Sequence, residues 1–177
     1  RVLGVIRPTA EIIGDITRNN HVGLLATEGT VKSQSYDMEI HKLWPDIKVT
    51  GQACPFWVPL VEYNEADSPG ADYFVKKRID QLLRKDPEID SIILGCTHFP
   101  LLMPKILKYT PPGITIVPQG EYVASKLKDY LRRHPEMETL LTKGGDVKYF
   151  STENASKFMA SASIFLHERI KATHIDL

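Results

Sequence analysis

Ser91-Ile92-Ile93-Leu94-Gly95-Cys96-Thr97-His98-Phe99-Pro100-Leu101-Leu102 is the stretch of this 177-residue chain that decides its fold. Its apolar, β-branched start predicts a buried strand that ends at the glycine. Pro100 predicts a helix over 101–109, because proline is favoured in a first helical turn. This order places a thiol, a hydroxyl and an imidazole at the carboxyl end of a strand, where open α/β sheets bind their ligands.

Strands and helices alternate on both sides of this stretch. Further strands are predicted over 21–26, 47–53 and 114–117, with a final one over 147–150. Helices are predicted over 9–18, 30–43, 71–84, 122–132 and 153–169, and residues 56–63 are expected to form a loop with a helical turn. The order predicts an α/β fold, with a mostly parallel sheet and helices on both faces. Residues 136–146 are the best candidate for a linker.

The composition excludes several classes of function. The 22 basic and 22 acidic residues give a formal net charge of zero, which argues against a nucleic-acid partner bound through its phosphates. No apolar run reaches the roughly 20 residues of a membrane helix. Neither glycine-rich nucleotide-binding fingerprint occurs. Two cysteines without a CxxC motif favour a reducing cytoplasm.

Cys96 and His98 are the first candidates for chemistry. A free cysteine is more often a small buried hydrophobe, but a position just after a strand-ending glycine favours a reactive thiol. Such a thiol serves as a nucleophile or a proton shuttle. His98 suits proton transfer, although a backbone hydrogen bond near a helix start explains it equally well. The chain lacks further ligands at zinc-like spacing, so no metal site is expected.

Glu62, Thr27 and Thr30 are weaker candidates. Glu62 ends the apolar run 58–62. Its local sequence favours a carboxylate that is simply exposed to solvent over one that orients an imidazole. A threonine between a strand and a helix is expected to cap the helix, although hydroxyls and amides there can also hold a carboxylate. The sites around Thr30 and Cys96 would converge if their strands are neighbours. Cys54, beside a proline, is expected to serve packing.

Together these segments resemble the glutamate racemases, cofactor-independent enzymes that interconvert L- and D-glutamate for peptidoglycan. The matching stretches are 4–8, 22–33, 53–55, 58–62, 94–102 and 150–152. The Gly-Cys-Thr-His-Phe-Pro-Leu-Leu block at 95–102 is the most specific of them. The resemblance therefore covers nearly the whole chain.

The resemblance implies two cysteines that act on opposite faces of the substrate's α-carbon. Cys96 corresponds to the one that takes the proton from L-glutamate, and His98 to the histidine that assists it. Glu62 corresponds to the carboxylate partner of that histidine. The residues implied near the bound glutamate are Thr97, Thr30 and Thr27. The expected protein is a cytoplasmic isomerase that needs no cofactor and no metal, and that binds neither nucleic acid nor a membrane.

Two departures from the family pattern qualify this expectation. The family begins with an Asp-Ser-Gly-type motif and a first catalytic cysteine, and neither is present here. We expect residues 1–118 to be the second lobe of a racemase, and 119–177 the returning part of an incomplete first lobe. The chain alone is then expected to be inactive, and to pair with the missing N-terminal half or to form a homodimer. Pro118-Gln119 also stands where the family often has an acidic residue with serine.

Three alternatives remain open at this stage. One is a lobe that binds carboxylates without catalysis, and another is a racemase of a related substrate such as aspartate. The third is a cysteine hydrolase that uses Cys96, His98 and Glu62 as nucleophile, base and orienting group.

Overall fold

The computed structural model describes residues 4–166 and 168–176. The chain divides into two compact units, one up to Tyr130 and one from Leu131. The first three residues of the predicted lobe 1–118 lie outside the described residues, and so does residue 167 of the predicted helix 153–169. The lobe boundary at 118 remains a prediction. No helix among the described residues is both long and apolar enough to cross a membrane.

A four-stranded parallel sheet forms the centre of the first unit. Its strands are β1 (His21–Ala26), β2 (Lys48–Ala53), β3 (Ser91–Leu94) and β4 (Thr115–Pro118). They lie in the order β2-β1-β3-β4. The helices are α1 (Ile6–Ile16), α2 (Glu28–Ser33), α3 (Ser35–His41), α4 (Trp57–Glu62), α5 (Pro69–Lys85), the 3-10 helix Phe99–Leu102, α6 (Met103–Tyr109) and α7 (Gly120–Arg133). The last three residues of α7 belong to the second unit. The predicted α/β fold with a parallel sheet is confirmed.

Strand β1 is buried on both of its faces, as parallel strands between helices usually are. Val22 and Leu24 belong to the apolar cluster that includes residues of α1 and α3. Gly23 faces the other way, where an added Cβ would lie 2.8 Å from Leu82 of α5. Helices therefore pack against both faces, and the carboxyl ends of β1 and β3 lie side by side.

Two predicted elements around β1 and β2 are corrected by the structure. The single helix over 30–43 is wrong, because Gln34 adopts a left-handed φ of 52° and separates α2 from α3. Ser33 Oγ donates to the Thr30 carbonyl and accepts from the Ser35 amide. At this junction, hydrogen bonds of a side chain therefore take the place of helical backbone hydrogen bonds. The loop with a helical turn expected over 56–63 is more helical than predicted, since Trp57–Glu62 form helix α4.

The segment after β3 begins differently from the prediction. A 3-10 helix covers Phe99–Leu102, and α6 starts only at Met103. Pro104 lacks the N–H that a continuous α-helix from 101 would need, and the Met103 amide bonds instead to the Pro100 carbonyl.

The second unit contains α8 (Pro135–Glu138), β5 (Tyr149–Ser151), α9 (Ala155–Leu166) and β6 (Ala172–His174). The prediction that the strand over 147–150 is the last one is wrong, because β6 pairs with β5 in parallel. Ile170 is buried, whereas the exposed fraction is 53% for Phe150 and 47% for Ile164. Much of the apolar surface of this unit is therefore uncovered in the described residues.

Asp90 is a buried carboxylate that joins the segment after α1 to the start of β3. It accepts hydrogen bonds from Thr17 Oγ1 at 2.8 Å, from the Arg18 amide at 2.6 Å and from the Asn19 amide at 3.1 Å. Ser91 Oγ donates a fourth at 2.8 Å. Burial by itself would raise the pKa of Asp90, but these hydrogen bonds outweigh it and hold the pKa below its ordinary value.

We expect Asp90→Ala to lower the free energy of unfolding by about 3 kcal/mol, because four donors lose a shared buried acceptor. Since the pKa of the folded state is depressed, this stabilisation is present above the unfolded pKa of about 3.9 and disappears as the pH falls through the folded pKa. Urea unfolding at pH 7 and pH 3 measures both effects. Asp80→Ala, which removes only the exposed pair with Lys76, is the control. Equal stability of wild type and Asp90→Ala at pH 7 would contradict the expectation.

Candidate active site

Cys96 lies two residues beyond β3, at the carboxyl edge of the sheet. The Gly95 amide donates to the Leu25 carbonyl at 2.8 Å, so pairing with β1 continues one residue past the strand. A Cβ at Gly95 would lie 2.9 Å from Leu24 Cδ1 and 3.1 Å from Ala26 Cβ. A side chain at this position would require its neighbours to shift, so glycine lets the backbone pass close to β1 just before the half-buried Cys96.

His98 stands between the thiol and a carboxylate. Its Nδ1 lies 3.9 Å from Cys96 Sγ, and its Nε2 lies 2.5 Å from Glu62 Oε1. The carboxylate can hold the proton on Nε2, and Nδ1 is then free to accept the thiol proton. The local sequence favoured a solvated edge for Glu62, but its side chain reaches the histidine across 36 residues of sequence.

Helix α4 brings Glu62 to this position. Trp57, at the start of α4, is fully buried and packs edge-on against Phe99 with ring centroids 4.7 Å apart. Trp57 and Val61 are spaced four residues apart, so they form one buried face of the helix. Glu62 follows at the helix end and faces His98, which directly precedes Phe99.

Thr27 and Thr30 lie at the same sheet edge, directly beyond β1. Thr27 caps α2, because its side chain accepts from the Thr30 amide at 3.3 Å. The two hydroxyls are 2.9 Å apart. Since β1 and β3 are neighbours, the sites around Thr30 and Cys96 lie at adjacent strand ends. Thr97 is exposed in the turn that follows Cys96.

Cys54 follows β2 but differs from Cys96 in every relevant property. It is fully buried, its amide donates to the Ala26 carbonyl at 2.9 Å, and its thiol lies 3.5 Å from the Gln52 carbonyl. Burial raises the pKa of this thiol far above its ordinary value. Cys54 therefore serves packing, and Cys96 is the accessible thiol of this edge.

Tyr36 and Gln119 also border the site, and the sequence did not indicate them as functional residues. The Gln119 side-chain amide donates to the Leu94 carbonyl at 3.1 Å and to the Tyr36 hydroxyl, so it links the ends of β3 and β4 to α3. Burial, and to a lesser extent electrostatic repulsion from Cys96, raises the pKa of Tyr36 to about 12. One feature of the sequence pointed to this position. Gln119 directly follows β4, the strand beside β3, and differs from the residues that the resembled family often has there.

One group of three possible metal ligands occurs among the described residues, at the opposite edge of the sheet. The ligand atoms of His21, Asp86 and Glu88 lie within 4.8 Å of one another. These groups already bind one another, since His21 contacts both carboxylates and Lys48 lies 3.1 Å from Asp86. The group is remote from Cys96 and fits a structural ion-pair network.

The arrangement around Cys96 suits a reaction in which the thiol gives up its proton, either as an acid/base group or as a nucleophile. The Cys96 thiol contacts the His98 imidazole, which in turn contacts the Glu62 carboxylate. The hydroxyls of Thr27 and Thr30, at the adjacent strand end, are suited to bind a small anion.

Comparisons with known proteins give a consistent result, although no protein-family model matches the chain. A glutamate racemase of Lactiplantibacillus plantarum is 36% identical over 99% of this chain and 64% of its own length. A crystal structure of a glutamate racemase isoform from Bacillus anthracis superposes with a TM-score of 0.88 at 32% identity, over 99% of this chain and 65% of that one. The glutamate racemase of Thermus thermophilus, solved with β-chloro-D-alanine, has a TM-score of 0.80 at 28% identity, over 99% and 63%. The chain thus spans about 64% of the length of its relatives.

Proposed function

We propose, on the premise that this chain is a homologue of glutamate racemases over 99% of its length, that it supplies the Cys96 side of a glutamate racemase. The reaction is the interconversion of L- and D-glutamate by two acid/base groups on opposite faces of the α-carbon. The observation that carries the proposal is the line from Cys96 through His98 to Glu62 at a ligand-binding edge of the sheet.

The proposed steps assign one task to each side chain. Cys96, as a thiolate with its proton passed toward His98, removes the α-proton of L-glutamate, and Glu62 holds the imidazole in place. An α-proton beside a carboxylate is far less acidic than a thiol, so fixed donors must stabilise the developing negative charge. Thr27, Thr30 and the backbone after β1 are suited to bind a carboxylate of the substrate.

The second acid/base group must come from outside the described site. The chain contains two cysteines, and the other one, Cys54, is buried beneath the edge. We propose that residues 1–118 form one lobe of the racemase and that residues 119–177 are part of another lobe. The rest of that other lobe, which is not in this sequence, provides the second thiol. The exposed apolar residues of the second unit, among them Phe150 and Ile164, suit such an additional lobe.

We further propose a cytoplasmic location and a role in peptidoglycan synthesis. Both cysteines are free in the structure, which fits a reducing compartment. D-glutamate is a cell-wall building block, so a racemase of this kind supplies cell-wall precursors and sustains cell shape.

A racemisation assay tests the proposal with and without a second lobe. The 177-residue chain alone is expected to show no turnover of L- or D-glutamate by circular dichroism. A hybrid that joins it to the part of the L. plantarum relative it does not cover is expected to racemise both. Turnover by the chain alone would refute the need for a second thiol. A folded hybrid that racemises aspartate but not glutamate would move the assignment to the related substrate.

The line of Cys96, His98 and Glu62 also fits a cysteine hydrolase, which is the second candidate. The two functions differ in what happens to the thiol. A hydrolase forms a covalent acyl adduct on Cys96, whereas a racemase exchanges the substrate's α-proton with deuterium from D2O and leaves the thiol unmodified. Intact-mass measurement of the hybrid with substrate, together with NMR of the substrate, distinguishes them.

A further inference from the structure

A basic groove runs along the outer edge of the sheet, between β2, α2 and α5. Its basic side chains are Arg78, Arg84 and Lys85 of α5 together with Lys32 of α2. The spacing of Arg78 and Lys85, two helical turns apart, places both on the same face of α5. The groove is separate from the line of Cys96, His98 and Glu62.

Three of the four basic side chains in this groove form no ion pair with a carboxylate of the described residues. Within the described residues, no carboxylate lies within 4 Å of Arg78, Arg84 or Lys85, whereas most other lysines and arginines of the first unit form ion pairs. Glu28 is the one acidic residue that lines the groove, and its carboxylate is bound by Lys32 at 2.7 Å. Three positive charges therefore face a shared concave surface.

The guanidinium of Arg78 is held in place. Its Nη1 donates to Gln81 Oε1 at 2.8 Å, and Gln81 in turn lies 3.5 Å from Nε2 of the buried Gln52. One of the five N–H donors of the guanidinium is used in this bond. A fixed guanidinium beside an ammonium is the donor set that binds phosphate groups, because the guanidinium fork matches two phosphate oxygens.

An added β-strand is a poorer occupant of this edge. Strand β2 is the outermost strand on this side, but Lys85 Nζ donates to the Gly51 carbonyl at 2.9 Å. The ammonium thus occupies an acceptor that a pairing strand would need, and lysines at sheet edges generally oppose such pairing. The groove favours a small anion over a peptide.

We propose that the groove lined by Arg78, Arg84 and Lys85 is a binding site for a phosphate-bearing small molecule, with a phosphate or diphosphate group as the recognised part. The site is independent of the proposed racemase chemistry, since it shares no residue with it. Binding requires only the first unit and is measurable on the chain as it stands.

Titration calorimetry of the 177-residue chain with inorganic pyrophosphate, at a low and at a higher fixed ionic strength, tests this site. We expect saturable binding that weakens with added salt, and a loss of affinity of about tenfold or more in the double variant Arg78→Gln/Lys85→Gln. Lys77→Gln is the matched control, because Lys77 lies on the same helix, contacts Tyr73 and does not line the groove. Its affinity is expected to equal that of the wild type.

Arg84→Gln provides a second variant should the double variant fail to fold, as judged by circular dichroism. It is expected to weaken binding severalfold and to reduce the rise in melting temperature that pyrophosphate causes in the wild type. The absence of saturable binding to the wild type would overturn the proposal, and so would equal losses in the control and groove variants. Binding of a poly-glutamate peptide without binding of pyrophosphate would overturn it in favour of an acidic protein partner.

Discussion

Replacing Cys96 with serine is expected to lower glutamate racemisation by roughly a thousandfold in the hybrid enzyme, in both directions. The hydroxyl of serine is a far weaker acid than a thiol, so the variant lacks a side chain that can readily release and take back the α-proton. Both directions fail together, because each requires one group to remove a proton and the other to return one. Circular dichroism of L- and D-glutamate measures the two rates.

Cys54→Ala is the matched control for this substitution. Cys54 is buried and its pKa is strongly raised, so its removal is expected to cost some stability but to leave the racemisation rate within about twofold. Full activity of the Cys96→Ser hybrid would exclude Cys96 as an acid/base group. Loss of racemisation in both variants with intact folding would show that a general change in the sheet edge, and not proton transfer, is responsible.

The sequence predicted the strands of the sheet well because their signals are local. Strand β1 begins and ends where the apolar run 21–26 does, and β3 ends before Gly95 as expected. The helices between them were less accurate, because their limits depend on single residues. The left-handed conformation of Gln34 divides one expected helix into two. Trp57, buried against Phe99, begins a six-residue helix where a loop with a helical turn was expected.

In the candidate site, too, the sequence indicated residues that are close together along the chain better than residues that only the fold brings together. Cys96 and His98 are two residues apart, and the sequence alone indicated both. The local sequence did not settle the role of Glu62, because its hydrogen-bond partner, His98, is 36 residues further along the chain. Helix α4 brings the two side chains together. Gln119 and Tyr36 meet through packing of α3 and β4, which no spacing along the chain encodes.

Alkylation of the native chain with iodoacetamide is expected to modify Cys96 at least roughly a hundredfold faster than Cys54. Alkylation requires an accessible thiolate. Cys96 is half-buried beside an imidazole, whereas Cys54 is fully buried, lies near the Gln52 carbonyl and has a pKa raised by burial. Cys54 is therefore expected to react only when the sheet edge opens. Mass spectrometry of digested samples, taken at intervals after mixing, gives the two rates separately.

The same measurement in 6 M urea is the control, because unfolding removes the difference in access, and the two thiols are then expected to react at similar rates. Comparable rates in the native chain would mean that Cys54 is as accessible as Cys96. The assignment of a single reactive thiol to this edge would then be wrong, and so would the proposal that the second acid/base group comes from outside the described site. Selective modification of Cys96 would instead leave that second group as the missing component of the reaction.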